Sequence, residues 1–212
     1  MSRGDATRDV RWERNPADAV SAAAGVLVLA AGMIAVRDGS VSSLEESVFH
    51  ALNDLPEALY RLLWPFQQFG ALAIGPLVAV GAAVTRRFRL ASAAVAATVA
   101  KLVLERVVKA MVTRERPGAS IGSDIHLRGD VHSDGESFVS GHALLVAALA
   151  GILTPYLRGR WKILPWLIVV VVMFGRVYVG AHNPLDVVCG AGLGLAIAGC
   201  LNLAIGVPER AA

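Results

Sequence analysis

Apolar residues fall into six long runs, and polar residues gather between them. The runs cover residues 17–36, 62–84, 90–112, 138–157, 161–179 and 184–207. Each is about long enough to cross ~30 Å of hydrocarbon as a helix. Lipid cannot satisfy the backbone groups of an open strand, so helices are the only plausible form. The pattern predicts an all-α fold, a six-transmembrane-helix bundle forming one domain over 17–207, with short tails at 1–16 and 208–212. Pro65 and Pro76 are expected to bend the second run. No internal repeat or low-complexity tract is present.

Composition agrees with the pattern. The 212 residues are 55% hydrophobic and 17% charged, whereas a soluble domain is nearer a quarter charged. This excludes a soluble core and makes membrane lipids the surroundings of the chain. The net charge of +3 is small, and no nucleic acid is expected as a partner. Cys189 and Cys200, on one predicted helix, would lie about 16 Å apart, too far to bridge. They read as small packing residues, and no Cys/His zinc pattern occurs. Gly190, Gly192, Gly194 and Gly199 in the last run are expected to let helices approach closely.

Basic residues set the expected orientation. Arg3, Arg8, Arg11 and Arg14 precede the first run, "TRRFR" (85–89) joins the second to the third, and "RGRWK" (158–162) joins the fourth to the fifth. If these face the cytoplasm, so do both termini. The first segment is too long and too acidic for a cleaved signal peptide, and reads as a cytoplasmic tail leading into an uncleaved span. Residues 37–61, 113–137 and 180–183 then face outward. The stretch "SSLEESVFHALNDLPEALYRLLWPF" has amphipathic helical spacing. It fits a helix on the membrane surface or a connecting helix equally well.

Charges inside an apolar run are costly and usually functional. "KLVLERVVKAMVTRERPG" places Lys101, Glu105 and Lys109 on one helical face. Lys101 and Glu105 read as a buried ion pair, with Glu105 also able to brace Lys109. Lys109 and Arg116 are seven residues apart, hence on one face if the helix continues, and Pro117 is expected to end it. Either cation alone would pass as a snorkelling residue. A second cluster is Ser140-Gly141-His142, where Ser140 can cap the fourth helix. A helix N-terminus offers free N–H groups to an anion, and Gly141 permits a close approach. The third cluster is "GRVYVGAHNPLDV" (175–187). Asn183, Pro184 and Asp186 suit a helix start, and Asp186 is placed to accept a hydrogen bond from His182. All three clusters fall on the outward face, so Lys109, Arg116, Arg176, His142, His182 and Asp186 are expected at one depth.

These residues resemble the type 2 phosphatidic acid phosphatase family, which shares its catalytic core with vanadium haloperoxidases. Its signature is Lys-(six residues)-Arg-Pro, Pro-Ser-Gly-His and Ser-Arg-(five residues)-His-(three residues)-Asp. Lys109, Arg116 and Pro117 match the first, Ser140, Gly141 and His142 the second, and Arg176, His182 and Asp186 the third. Val139 stands where the family has proline, and Gly175 where it has serine. The resemblance implies a metal-independent, cofactor-free phosphatase of the plasma membrane acting on a lipid phosphate. His182 would be the nucleophile, oriented by Asp186, and His142 the proton donor to the leaving group. Lys109, Arg116, Arg176, Ser140 and Gly141 would bind the phosphate.

The loop "GSDIHLRGDVHSDGE" (122–136) is expected to cover the site, with Arg128 touching the head group. It holds histidines and aspartates, but no spacing demands a metal. Polyprenyl diphosphate and phosphatidate or phosphatidylglycerol phosphate are the leading substrates. Transfer to an acceptor alcohol, or a transporter or scaffold that only binds phosphate, are the alternatives. The oligomeric state is left open.

Overall fold

The structure is a computed structural model that describes residues 12–209. Arg3, Arg8, Arg11 and the rest of the expected tail up to residue 11 lie outside the described residues, as do residues 210–212. The order is β1 (Trp12–Glu13), α1 (Pro16–Ala35), α2 (Ser43–Asn53), α3 (Leu59–Gln67), α4 (Ile74–Val84), α5 (Phe88–Met111), α6 (Pro117–Ser120), α7 (Gly141–Leu153), α8 (Leu164–Tyr178), α9 (Pro184–Ile205) and β2 (Val207–Pro208). Single 3-10 turns follow α3 and α7 and precede α8. The expected all-α fold needs one addition: β1 pairs antiparallel with β2, Trp12 facing Pro208.

That pairing places both ends of the described chain together. Arg89, at the start of α5, joins them by stacking on Trp12 at 4.3 Å and donating to the Ile205 carbonyl at 2.5 Å. α1 runs antiparallel to α9, with Gly25 on Gly192 and Gly32 on Cys189. α9 has 22 residues, so its N-terminus lies about 33 Å from this end.

Fewer helices than expected qualify as spans by length and composition. Among the described residues, Pro16–Ala35, Gly159–Tyr178 and Pro184–Ile205 do. Leu59–Gly70 with Ile74–Val84 makes a fourth if its 65° bend is one broken span. α5 falls short because it carries Lys101, Glu105, Arg106 and Lys109, and α7 because it has only 13 residues. The bend lies between the 3-10 turn and α4, not at a proline. Pro76 sits in the first turn of α4, where a missing N–H costs nothing.

α7 is the central post, and ten of its 13 residues are buried. Leu144, Leu145, Ala148, Leu149 and Ile152 pack with Leu193 and Ile197 of α9 and Ala94 and Ala97 of α5. A helix enclosed this way is apolar on all sides without facing lipid. The outer helices show the reverse: Val20, Leu27 and Ile34 of α1 and Leu77, Val80 and Val84 of α4 are exposed. Such an apolar exterior on a soluble protein would be an interaction surface, and in a bilayer it is the solvated face. The two cysteines are free, Cys189 buried and Cys200 exposed.

The glycines of α9 set how closely α7 can lie. A Cβ on Gly194 would stand 2.3 Å from the Leu144 carbonyl oxygen, and one on Gly190 2.5 Å from that of Ser140. Backbone cannot yield as a side-chain tip can. Gly194→Val is therefore expected to destabilise the bundle by about 1–3 kcal/mol. Thermal unfolding in detergent checks this, and an unchanged midpoint would show that the helices are free to separate.

Candidate active site

The N-termini of α7 and α9 meet at the end of the bundle remote from the termini. Ser140 donates its backbone N–H to the Asp186 carbonyl at 3.0 Å, joining the two helix starts. Ser140 is the N-cap residue of α7, but its hydroxyl makes no cap. That hydroxyl is buried and has no hydrogen-bond partner. The first-turn N–H groups of α7 lack intrahelical acceptors, as at any helix start, and the helix dipole adds partial positive charge there. Gly141, the first residue of α7, also lies against Glu105. A Cβ there would lie 2.5 Å from a carboxylate oxygen of Glu105, so glycine makes room for Glu105.

His182 occupies the short connection between α8 and α9 and is 4% exposed. The direct hydrogen bond expected from Asp186 is not made: His182 Nδ1 and Asp186 Oδ2 are 3.7 Å apart. Ser137 lies between them. Its hydroxyl is 3.3 Å from His182 Nδ1 and donates to Asp186 Oδ2. With that proton committed to the carboxylate, the serine oxygen is left to accept from Nδ1–H. Nε2 then keeps its lone pair. Burial, with the charge of Arg176, pushes the His182 imidazole down to about 4, against the opposing pull of Asp186.

Asp186 is itself held from three sides. Its Oδ2 accepts from the Asn183 N–H at 2.8 Å, the N-terminal cap foreseen from "HNPLD". Its Oδ1 accepts from Arg114 Nη1 at 2.8 Å. Arg114 is 1% exposed and also forks onto Glu45, with Nη2 to Oε2 at 2.5 Å and Nη1 to Oε1 at 3.1 Å. Its Nη2 donates further to the Ser40 carbonyl at 3.1 Å. Burial alone would lower the guanidinium pKa, but Glu45 and Asp186 together raise it. Glu45 Oε1 accepts from the Leu185 N–H as well, at 2.9 Å.

Sequence reasoning missed Arg114, Glu45 and Ser137. One signal for Glu45 was available. Glu45, Phe49 and Asn53 share one face of α2 and are its buried residues. An acid on an otherwise inward face calls for a buried cation. α2 is thus a packed connecting helix, of the two roles its sequence allowed.

The cations fall into two groups. Arg116 does not continue the face of Lys109, because α5 ends at Met111 and residues 112–116 are not helical. Pro117 begins α6 instead of ending α5, and it holds Arg116 extended at φ −68°, ψ 160°. Arg116 Nη1 donates to the Ala181 carbonyl at 3.3 Å, beside His182. Arg116 and Arg176 are near enough for their charges to be felt by each other and by both His142 and His182. Neither has a carboxylate within 4 Å among the described residues, and the Nε of each is buried without a partner. Lys109 stands one step away: its Nζ is 3.1 Å from Glu105, which also holds Lys101 at 2.8 Å. The expected Lys101–Glu105 pair is present.

Arg128 is not positioned to touch a head group. It is 5% exposed and donates to Glu57 and to the carbonyls of Asn53, Leu55 and Tyr178 at 2.6–2.9 Å. These bonds pin its loop to the ends of α2 and α8. Val139, where the proline of the signature is replaced, is fully buried, and its peptide bond to Phe138 is cis.

Two predictions concern this network. Arg114→Lys keeps the charge but loses the fork, leaving carboxylates uncompensated. A stability loss on the order of 3 kcal/mol is expected, read as a lowered unfolding midpoint. The second concerns pH. Between about 6.5 and about 4 the unfolded chain protonates His182 while the folded chain does not, so this residue costs stability as pH falls through that window. His182→Asn should flatten the fall of the unfolding midpoint over those pH values. Parallel curves for the two proteins would contradict the neutral, buried imidazole.

The comparisons with known proteins agree with this geometry. The model of the PAP2 superfamily matches residues 89–206, more than half of the chain and all three motif clusters. No curated protein sequence matches significantly. Among solved structures, LpxE of Aquifex aeolicus is similar at a TM-score of 0.69 and 23% identity, covering 77% of this chain and 96% of that one. A transmembrane PAP2-type phosphatidylglycerolphosphate phosphatase from Bacillus subtilis is similar at a TM-score of 0.69 and 21% identity, covering 86% of this chain and 94% of that one. The three motif clusters, the meeting of two helix N-termini and the family match lead to one conclusion: the chain is a multi-pass membrane phosphatase of the PAP2 superfamily.

Proposed function

We propose that the chain hydrolyses a lipid phosphate monoester or diphosphate at the outer edge of the plasma membrane, through a phosphohistidine on His182. The carrying observation is the pair Arg116 and Arg176, with buried Nε donors unpartnered and no neutralising carboxylate among the described residues, set beside two imidazoles and the free Ser140 hydroxyl. A buried cationic cluster of this kind is costly until an anion enters it. Phosphate oxygens supply the missing acceptors, and guanidinium groups grip them in pairs.

The proposed chemistry gives each of these side chains one role. His182 Nε2 attacks phosphorus, forming the N–P bond as the bond to the leaving oxygen breaks. His142 gives its proton to that oxygen. Water then attacks the phosphohistidine with His142 taking its proton, and phosphate leaves as the P–N bond breaks. Nδ1–H of His182 shares its developing charge with Ser137 and Asp186. Arg116 and Arg176, with Lys109 at the rim, hold the charge on the phosphoryl oxygens, the work a metal ion does in other phosphoryl transfers.

Placement supports a lipid substrate. The site and the paired ends of the described chain, Trp12–Glu13 and Val207–Pro208, lie at opposite ends of α9, about 33 Å apart, close to the hydrocarbon thickness. We infer six crossings, by α1, the bent α3–α4 pair, α5, α7, α8 and α9. α7 is sheltered by its neighbours, and the charges of α5 are paired with one another. Basic residues at the end shared by the termini, Arg14, Arg86, Arg87 and Lys162 among them, favour that end as cytoplasmic. A diphosphate or monophosphate on a polyprenyl or diacylglycerol lipid fits a site at that depth.

Purified protein in detergent is expected to release phosphate from at least one member of a panel of polyprenyl diphosphates, phosphatidate and phosphatidylglycerol phosphate. His182→Ala should lower the rate by at least about a thousandfold, and EDTA should leave it unchanged. Full activity in the alanine variant would remove the nucleophile assignment.

A further inference from the structure

Gln67, the last residue of α3, is 7% exposed, and neither its Nε2 nor its Oε1 has a hydrogen-bond partner. An amide has two donors and a two-lone-pair acceptor, so leaving all of it unmade in a buried place calls for a reason. Most of the other buried side-chain atoms without partners belong to Arg116, Ser140, Arg176 and Asn183, residues of the candidate site. The position of Gln67 makes it one of this set.

Two contacts locate the amide. It lies on Gly175, where an added Cβ would fall 1.8 Å from Nε2 and 2.7 Å from Cδ. Gly175 immediately precedes Arg176 on α8. Three residues after Gln67, Gly70 abuts the other half of the site: a Cβ there would lie 2.7 Å from His142 Cβ and 2.8 Å from His142 Cδ2. The segment 67–70 is therefore wedged between the helix that bears Arg176 and the side chain of His142. The polar group of Gln67 fills the space that a side chain at position 175 would need.

We propose that Gln67 is a substrate-contacting residue, its Nε2 donating to an oxygen of the bound phosphate group from the position that a residue 175 side chain would otherwise take. The inference rests on the phosphatase reading above. A fully ionised phosphoryl group only accepts hydrogen bonds, so of the two amide atoms Nε2 must face it. Gln67 adds a neutral donor to a cluster that already carries two guanidinium charges. Glycine at 175 and glutamine at 67 are thus one paired choice: a hydroxyl at 175 and the amide of Gln67 cannot share the space.

The test uses full-length protein in detergent, with orthovanadate as the phosphate-like probe and phosphate release from the lipid panel as the second readout. Gln67→Leu keeps the bulk and removes the donor. It is expected to weaken vanadate inhibition by about tenfold, the effect of a lost hydrogen bond to a charged oxygen, with a near-normal unfolding midpoint. Gln67→Glu places a negative charge against the phosphate and should weaken vanadate more strongly still. Gly175→Ser should impair the wild-type background yet restore vanadate affinity in Gln67→Ala. Vanadate inhibition within twofold of wild type in folded Gln67→Leu overturns the proposal, as does an effect on the unfolding midpoint alone. Should Gln67→Leu not fold, equal vanadate affinity in Gln67→Ala and the Gln67→Ala/Gly175→Ser double variant overturns it. Wild-type protein that releases no phosphate from any lipid refutes the hydrolase reading instead, and vanadate binding then decides Gln67 separately.

Discussion

The site depends on one buried guanidinium. Arg114 joins Glu45 of α2 to Asp186 of α9, and it comes from the extended segment that leads to Arg116. Three parts of the chain far apart in sequence are fixed by a group that cannot give up its proton. Two carboxylates in this setting would repel each other without it. With it, Asp186 stays an anion inside the protein and can anchor both Ser137 and the Asn183 N–H. A buried ion network is weak evidence for net stability, since well-packed apolar residues would often do as well. Its use here is positional: it aims the carboxylate that sets the His182 ring.

The other charges divide by the same rule. Lys101 and Lys109 share Glu105, and Arg128 is paired with Glu57 and three carbonyls. These are structural cations with their charge answered inside the protein. Arg116 and Arg176 are answered by no carboxylate among the described residues, and both histidines feel their charges. The contrast separates cations whose charge is met inside the protein from the two proposed to meet a ligand. Lys109, proposed as a phosphate ligand, is already paired with Glu105 at 3.1 Å, so a phosphate would have to compete for it.

Small residues make this arrangement possible. Gly190 and Gly194 let α9 run against the α7 backbone, so that the two helix starts share a hydrogen bond from Ser140 to Asp186. A methyl group at either glycine would separate them. The positive ends of both helix dipoles then face one place. Gly141 and Gly70 act similarly, admitting Glu105 and the His142 side chain. Rigid elements carry most of the site, and only the five-residue connection 179–183 is loop between α8 and α9. The loop 122–136 is held at Arg128 and so is fixed at its middle.

Sequence alone determined where the helices lie and which residues match the family's three motifs. Apolar runs follow from the cost of exposed backbone in lipid, and their observed ends differ by a few residues. His142, His182, Asp186, Arg116 and Arg176 were legible because motif spacing along one chain fixes local helix starts, and the helix starts carry the side chains. Tertiary structure decided the rest. Ser137 stands between His182 and Asp186, Glu105 takes the space at Gly141, and Gln67 takes that at Gly175. Arg114 looked like one more arginine before Arg116, and Glu45 like one acid of an amphipathic helix. Their partners are about 70 residues apart in sequence. No local pattern encodes a contact of that range; it exists only once α2 has packed against α8 and α9 and the cost of an unpaired buried charge forces the two together.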